Sequence, residues 1–185
     1  SQEEVVRVLQ STFDQLLDKD NLLYGATIVV SSTDSSPVCI DRNDEAKSYY
    51  IKISAQDRHW CQYIFQFAHE LGHLLCGARM GTGKQQWFEE SLCEAIALHT
   101  LEKMSEKWQK VPPYPIWKEY APAFQKYRVN RIRKQAYPEN FQLGSWWRKN
   151  SKTLETYPCM RRENLWVAMK ILPVIDRNPS TAWSA

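Results

Sequence analysis

Two histidines four residues apart with a glutamate beside the first, His69-Glu70-Leu71-Gly72-His73, are the residues of this chain whose types and spacing suit a chemistry. On an α-helix, residues i and i+4 lie one above the other on the same face, with roughly 5–6 Å between Cβ atoms. Two imidazoles so placed can each give a nitrogen to a single Zn²⁺ at roughly 2.0–2.1 Å. Glu70 is rotated by about 100° from His69 on a helix of 3.6 residues per turn. It therefore lies beside the ion and can take a proton from a water there without being a ligand itself. Coincidence is the competing explanation, since only three residue types in five positions are specified, and it is the surrounding sequence that decides.

The segment from Arg58 to Cys76 carries no Gly or Pro before Gly72, and its apolar residues Trp60, Ile64, Phe67, Leu71, Leu74 and Leu75 recur at helical spacing. Projected at about 100° per residue, they gather opposite His69 and His73, so one face suits a core and the other presents the imidazoles, with Gln62, Phe65 and Gln66 above them. Gly77 follows the last apolar pair and suits a helix C-terminus, where the left-handed conformation is common.

A catalytic zinc site usually has three protein ligands and one open position. A third histidine six residues past the second is ruled out, because Arg79 stands there. A carboxylate on a second helix is the other solution. In Trp87-Phe88-Glu89-Glu90-Ser91-Leu92-Cys93-Glu94-Ala95-Ile96-Ala97-Leu98, Glu90 and Glu94 share a helix face with Ala97 and Leu101, whereas Glu89 points about 100° away. Two acids on an otherwise apolar stripe need a reason, and a metal with histidine ligands provides one. Spacing alone leaves the choice between Glu90 and Glu94 open.

The pair of segments His69-Glu70-x-x-His73 and Trp87-Phe88-Glu89-Glu90-x-x-x-Glu94 resembles the zinc site of the gluzincins, the metallopeptidases that include thermolysin and related aminopeptidases. The second segment is similar to the aminopeptidase helix reading Trp-Leu-Asn-Glu-Gly-Phe-Ala-Glu. The resemblance implies His69, His73 and Glu90 as ligands and Glu70 as general base. It puts Glu94 where an acid orients a ligand histidine, a role that ligating histidines commonly require. It also implies an oxyanion donor from the C-terminal part. Tyr157, 67 residues past Glu90 (157 − 90), falls near that position, with Tyr114, Tyr120, Tyr127, Tyr137 and His99 as competitors. The chain departs from the pattern in three ways. Sixteen residues (74 to 89) separate His73 from Glu90, slightly fewer than in the aminopeptidases, Glu89 replaces their Asn, and their Gly-rich substrate-reading motif has no copy upstream. The likeness covers residues 48 to 104 only.

The elements that must position these residues can be read as follows. Glu3 to Leu23 is amphipathic, with Val5, Val6, Leu9, Phe13, Leu16 and Leu17 on its inner side. Thr27–Ser31 and Tyr49–Ser54 read as strands between polar turn stretches at Ser31–Ser36 and Arg42–Glu45. The strand just before the metal helix is expected to form the cleft edge, which could hold an extended peptide by strand addition, or else to be an ordinary interior strand. After Met104, Val111-Pro112-Pro113-Tyr114-Pro115 is a stiff connector, and Ala121 to Ala136 a basic helix. The expected fold is an α+β, zincin-like single domain over 1–185. It has an N-terminal helix, a small mixed sheet, an active-site helix and a glutamate helix within 1–108, and a helical part over 111–185 that closes the cleft.

Composition bounds the remainder. At 185 residues and 43% hydrophobic the chain can bury a core of its own. No apolar run approaches the ~20 residues that cross a bilayer. Five cysteines without a paired framework point to reduced thiols and a cytoplasmic working place. Cys76, one turn past His73, is expected as a small buried hydrophobe rather than a ligand. Lys126, Arg128, Arg131, Arg133 and Lys134, with Trp146-Trp147-Arg148-Lys149 and Arg161-Arg162, combine basic and aromatic residues. A net charge of +3 and their dispersal nevertheless favour a solvated face over nucleic-acid binding. The expected function is a zinc-dependent peptidase acting on a peptide or protein substrate. The alternatives are a regulator resembling the small HExxH proteins of the ImmA/IrrE type, and a metal-stabilised binding module, for which an intact Glu70 would have no use.

Overall fold

In the computed structural model, residues 1–17, 21–43, 48–77, 83–135 and 137–177 are described. Helix α1 (Gln2–Leu16) begins with a capping box in which Ser1 and Glu4 each satisfy the other's backbone N–H. It buries Val8, Leu9 and Leu16, while Val6, expected on the inner side, is 56% exposed. At about 100° per residue, Val8, Leu9, Thr12 and Leu16 fall within one stripe about 100° wide, and Val6 lies about 60° outside it. A 3-10 turn (Leu22–Gly25) follows; residues 18–20 of the stretch expected as helix lie outside the described ones, as do Arg79, Glu45 and Ala136.

Three strands, β1 (Thr27–Ser32), β2 (Val38–Asn43) and β3 (Ser48–Ile53), form a mixed sheet in the order β1-β3-β2. β1 runs parallel to β3 and β2 antiparallel to it, with a register shift between Cys39 and Asp41. β3 is therefore the central strand. The interior alternative holds for Tyr49–Ile53 and the cleft-edge expectation does not. The edges are β1 and β2; β2 runs from three apolar residues, 38–40, into three polar ones, 41–43, without the alternation of a half-buried strand, and its last two residues fall in the stretch expected as a turn.

Helix α2 (Trp60–Leu75) and helix α3 (Gln86–Lys110) are the framework of the molecule. α2 buries Trp60, Ile64, Phe67, Leu71 and Leu74 as its periodicity requires, and Gly77 just beyond it adopts φ +88°. α3 is buried on most of its circumference, including Ile96, Leu98, Leu101, Met104 and Trp108, because α2, α4 (Ala121–Arg133) and α6 (Arg161–Arg177) pack around it. The α2–α3 approach is close at Gly72, where a Cβ would stand 3.0 Å from Cys93 Sγ and 3.3 Å from its Cα. One principal core joins Val8 and Leu16 of α1, Ile51 and Ile53 of β3, the inner faces of α2 and α3, Phe124 of α4, and Leu165 and Leu172 of α6. Helix α5 (Leu143–Thr156) packs Leu154 against Trp87 and Val167 in a smaller cluster. The architecture is α+β and mostly helical. Among the described residues, no helix is long and apolar enough to cross a membrane.

Candidate metal centre

α2 and α3 lie side by side so that the histidine face of one meets the acidic start of the other. His69 Nε2 stands 3.3 Å from Glu90 Oε2, and His73 Nε2 stands 3.7 Å from Glu90 Oε1. Each of the three residues offers an atom to a common point, all within 4.8 Å of one another. Both imidazoles turn Nε2 inward, leaving Nδ1 for an outer partner. Two imidazoles and a carboxylate converging from two packed helices can hold a metal ion, and their donor chemistry, N, N and O, suits a first-row divalent cation.

The outer partners differ from the expectation. His73 Nδ1 hydrogen-bonds Glu89 Oε1 at 2.7 Å, so the acid adjoining Glu90 orients a histidine. Glu94 faces His69, but its Oε2 is 4.0 Å from His69 Nδ1, beyond hydrogen-bonding distance, and that buried nitrogen has no partner among the described residues. Glu94 is instead clasped by Arg131, with Nε to Oε1 at 2.7 Å and Nη2 to Oε2 at 3.0 Å. The Arg131 guanidinium also lies over the Phe65 ring at 3.8 Å. A bidentate pair of this kind fixes both partners' geometry. Helical projection around Glu90 could not reveal Glu89's role, because what matters is the direction of His73 Nδ1 on the other helix.

Burial and charge act against each other at the centre. Burial pushes Glu70, 5% exposed, above the ordinary carboxylate range, opposed by the imidazoles of His69 and His73 and by a hydrogen bond from the Cys39 backbone N–H of β2. For Glu90, burial also works upward, but the hydrogen bond to His69 and the charge of His73 win and hold it below the ordinary range. For His73, burial works downward, and Glu89, Glu90 and Glu70 together reverse it, raising its pKa.

The centre opens into a cleft of about 590 Å³. One wall is residues 36–39 at the start of β2, another is Tyr127 and Arg131 of α4, and a third is Cys159, Arg161 and Asn164 around the start of α6. Cys159 Sγ donates to Glu90 Oε1 at 3.5 Å, and burial together with that carboxylate raises its thiol to about 11. The C-terminal part thus lines the cleft. Tyr157 does not: it follows α5, is 64% exposed and is absent from the lining. Of the tyrosines expected to compete as donor, Tyr127 lines the cleft, while Tyr114 hydrogen-bonds Glu3 and Tyr120 takes the Cys61 thiol. His99 is buried against Asp176 of α6 at 2.6 Å. Cys76 hydrogen-bonds the fully buried Cys93. Arg128 and Arg131, expected on a solvated face, turn inward to Glu102 and Glu94.

No known protein family, curated protein or solved structure matches the chain.

Proposed function

We propose that the protein is a zinc-dependent peptidase with a zincin-like core, in which His69, His73 and Glu90 hold the metal and Glu70 acts as general base. The observation that carries this reading is the buried Glu70 carboxyl beside a convergent pair of histidines and a glutamate, at the floor of a cleft. A site needed only for structure would close around its ion with four protein ligands, whereas three donors opening into a cleft suit catalysis. Zinc, when bound, supplies Lewis acidity and eases the ionisation of a water. Glu70 accepts that water's proton as the water attacks a peptide carbonyl, and returns it to the leaving amine. Burial pushes its pKa above the ordinary carboxylate range, the direction that suits a group that must take a proton and then return it.

Glu89 holds the His73 ring by its outer nitrogen, and Arg131 holds Glu94 behind His69. The substrate would lie along β2, the edge strand that borders the cleft, where Val38 and Cys39 line it. Tyr127 and Arg131 are the lining donors closest in kind to an oxyanion partner, and Tyr127 takes over the role first assigned to Tyr157. The test is cleavage of a peptide mixture, followed by mass spectrometry, with metal-stripped protein, zinc-reconstituted protein and the Glu70→Gln variant. Cleavage that needs zinc and falls by about 10²- to 10⁴-fold in Glu70→Gln supports the reading. Zinc-loaded protein that cleaves nothing, or a Glu70→Gln variant with unchanged turnover, refutes it.

A further inference from the structure

The charged residues that line the cleft can be paired off one by one. Glu89 meets His73, Glu90 meets both histidines, Glu94 is clasped by Arg131, and Glu70 accepts from the Cys39 N–H. Arg161 is the exception. It lines the same cleft, yet its guanidinium has no hydrogen bond or ion pair to any of the described residues. Its neighbour Arg162, by contrast, bonds Glu163 at 2.6 Å and lies over Trp166 at 5.0 Å, fully used on its own side of α6.

The backbone that carries Arg161 is set by contacts on both sides. Two residues before it, the Cys159 thiol reaches Glu90 at 3.5 Å, so the start of α6 sits directly against a metal donor. The turn is pinned from within the helix, where Asn164 Nδ2 donates to the Pro158 carbonyl at 2.8 Å and Asn164 N to the Met160 carbonyl at 2.9 Å. Arg161 itself is exposed, and its planar, permanently charged fork, carried on this pinned turn at the wall of the cleft, is suited to a carboxylate, which it can grip with two parallel hydrogen bonds.

We infer that Arg161 is a specificity residue that binds a carboxylate of the peptide substrate, so that the enzyme selects peptides bearing an anionic group beside the bond it cleaves. This rests on the peptidase reading. The carboxylate has two sources, the peptide's C-terminus or an Asp or Glu side chain, and both present the same group to the guanidinium. The cleft, at about 590 Å³, lies within the roughly 300–1,000 Å³ of small-ligand sites and suits the end of a chain or a few residues of it.

The experiment uses zinc-loaded full-length Glu70→Gln protein, which binds without turning over, immobilised and exposed to three mixtures of acetylated tetrapeptides. One mixture ends in free carboxylates and lacks Asp and Glu, one is amidated and contains them, and one is amidated and lacks them. Retained peptides are identified by mass spectrometry, and the same mixtures are offered to the parent enzyme for cleavage. Retention of the first or second mixture over the third by about 10-fold or more, lost in Arg161→Met and partly restored in Arg161→Lys, supports the inference and identifies which source is read. Circular dichroism and zinc content check that Arg161→Met is folded and loaded. Equal retention of all three mixtures, or retention unchanged in Arg161→Met, overturns it. If the parent cleaves the amidated, acid-free mixture as well as the others, the peptidase reading stands and the carboxylate site falls. If nothing is retained or cleaved, both fall together.

Discussion

His69, His73 and Glu90 divide one task among three side chains, so removing any of them should remove the metal. The purified protein is expected to hold about one zinc per chain by atomic absorption, and His69→Ala, His73→Ala and Glu90→Ala should each lose it, since three protein ligands are the usual number in a catalytic site. Full zinc content in Glu90→Ala would mean that another acid is the ligand. Glu89 carries a sharper expectation, because its 2.7 Å bond fixes the His73 ring. Glu89→Gln should weaken zinc binding by about 10- to 100-fold, the usual cost of losing a partner that orients a ligand histidine. Glu94→Ala should cost less in affinity, its carboxylate being 4.0 Å from His69 Nδ1 and engaged by Arg131. Equal losses would show that Glu94 closes on His69 when zinc binds. There is also a pH consequence. The pKa of His73 is raised above its ordinary 6.5 by Glu89, Glu90 and Glu70 against the effect of burial, so protons compete with the metal at and somewhat above that pH. Zinc affinity should therefore rise with pH through this range, and Glu89→Gln should move the midpoint of that rise downward. A titration monitored by a zinc-responsive dye would read both.

The candidate metal centre is built on the seam between α2 and α3, each of which brings part of the possible donor set, so the spacing of the two helices governs donor separation. Gly72 sets that spacing: an added Cβ would stand 3.0 Å from both Cys93 Sγ and Ile96 Cδ1. Gly72→Val should cost about 2 kcal/mol of stability, because overpacking a filled contact costs roughly 1–3 kcal/mol and outweighs the small gain in helix propensity. Zinc affinity should fall with it as the helices part. Urea denaturation of the metal-free variant together with a zinc titration would check both effects. A fall in stability with unchanged zinc affinity would show that the donors tolerate the shift. The role of β2 is also a property of an element rather than of a residue. Its edge position follows from the β1-β3-β2 order, and its contact with the centre runs through the Cys39 backbone N–H.

Around the whole molecule, α3 is the axis on which the C-terminal helices close, and that closure brings Arg131, Cys159 and Arg161 to a cleft whose floor comes from α2 and α3. His99, on the far side of α3 from Glu90, is part of this closure: it is 5% exposed and hydrogen-bonded to Asp176 of α6 at 2.6 Å. Asp176→Ala should lower stability by about 1–3 kcal/mol, because it leaves a buried imidazole nitrogen unpaired, and should leave zinc content unchanged. Thermal unfolding and metal analysis separate these effects; loss of zinc in this variant would tie His99 to the centre after all.

The local periodicities by themselves determined α2 and the face on which His69 and His73 stand, and left Glu90 and Glu94 as the two candidates for a third donor one loop later, because each rests on residues a turn or so apart within one element. The buried stripe Trp60, Ile64, Phe67 and Leu71 was legible for the same reason. Tertiary structure alone decided what depends on directions between elements. The Nδ1 of His73 points at Glu89, Arg131 reaches across 37 residues to Glu94, and Tyr127 rather than Tyr157 enters the cleft. Whether the strand before the metal helix was a cleft edge or an interior strand was decided as interior, and β2 borders the cleft, because strand order is a matter of pairing between elements that the pattern of one strand does not carry. A basic helix read as solvated turned two of its arginines inward because acids on α3, distant in sequence, await them. Composition and period describe what each element can bury, and the partner it is buried against is fixed only when the chain closes.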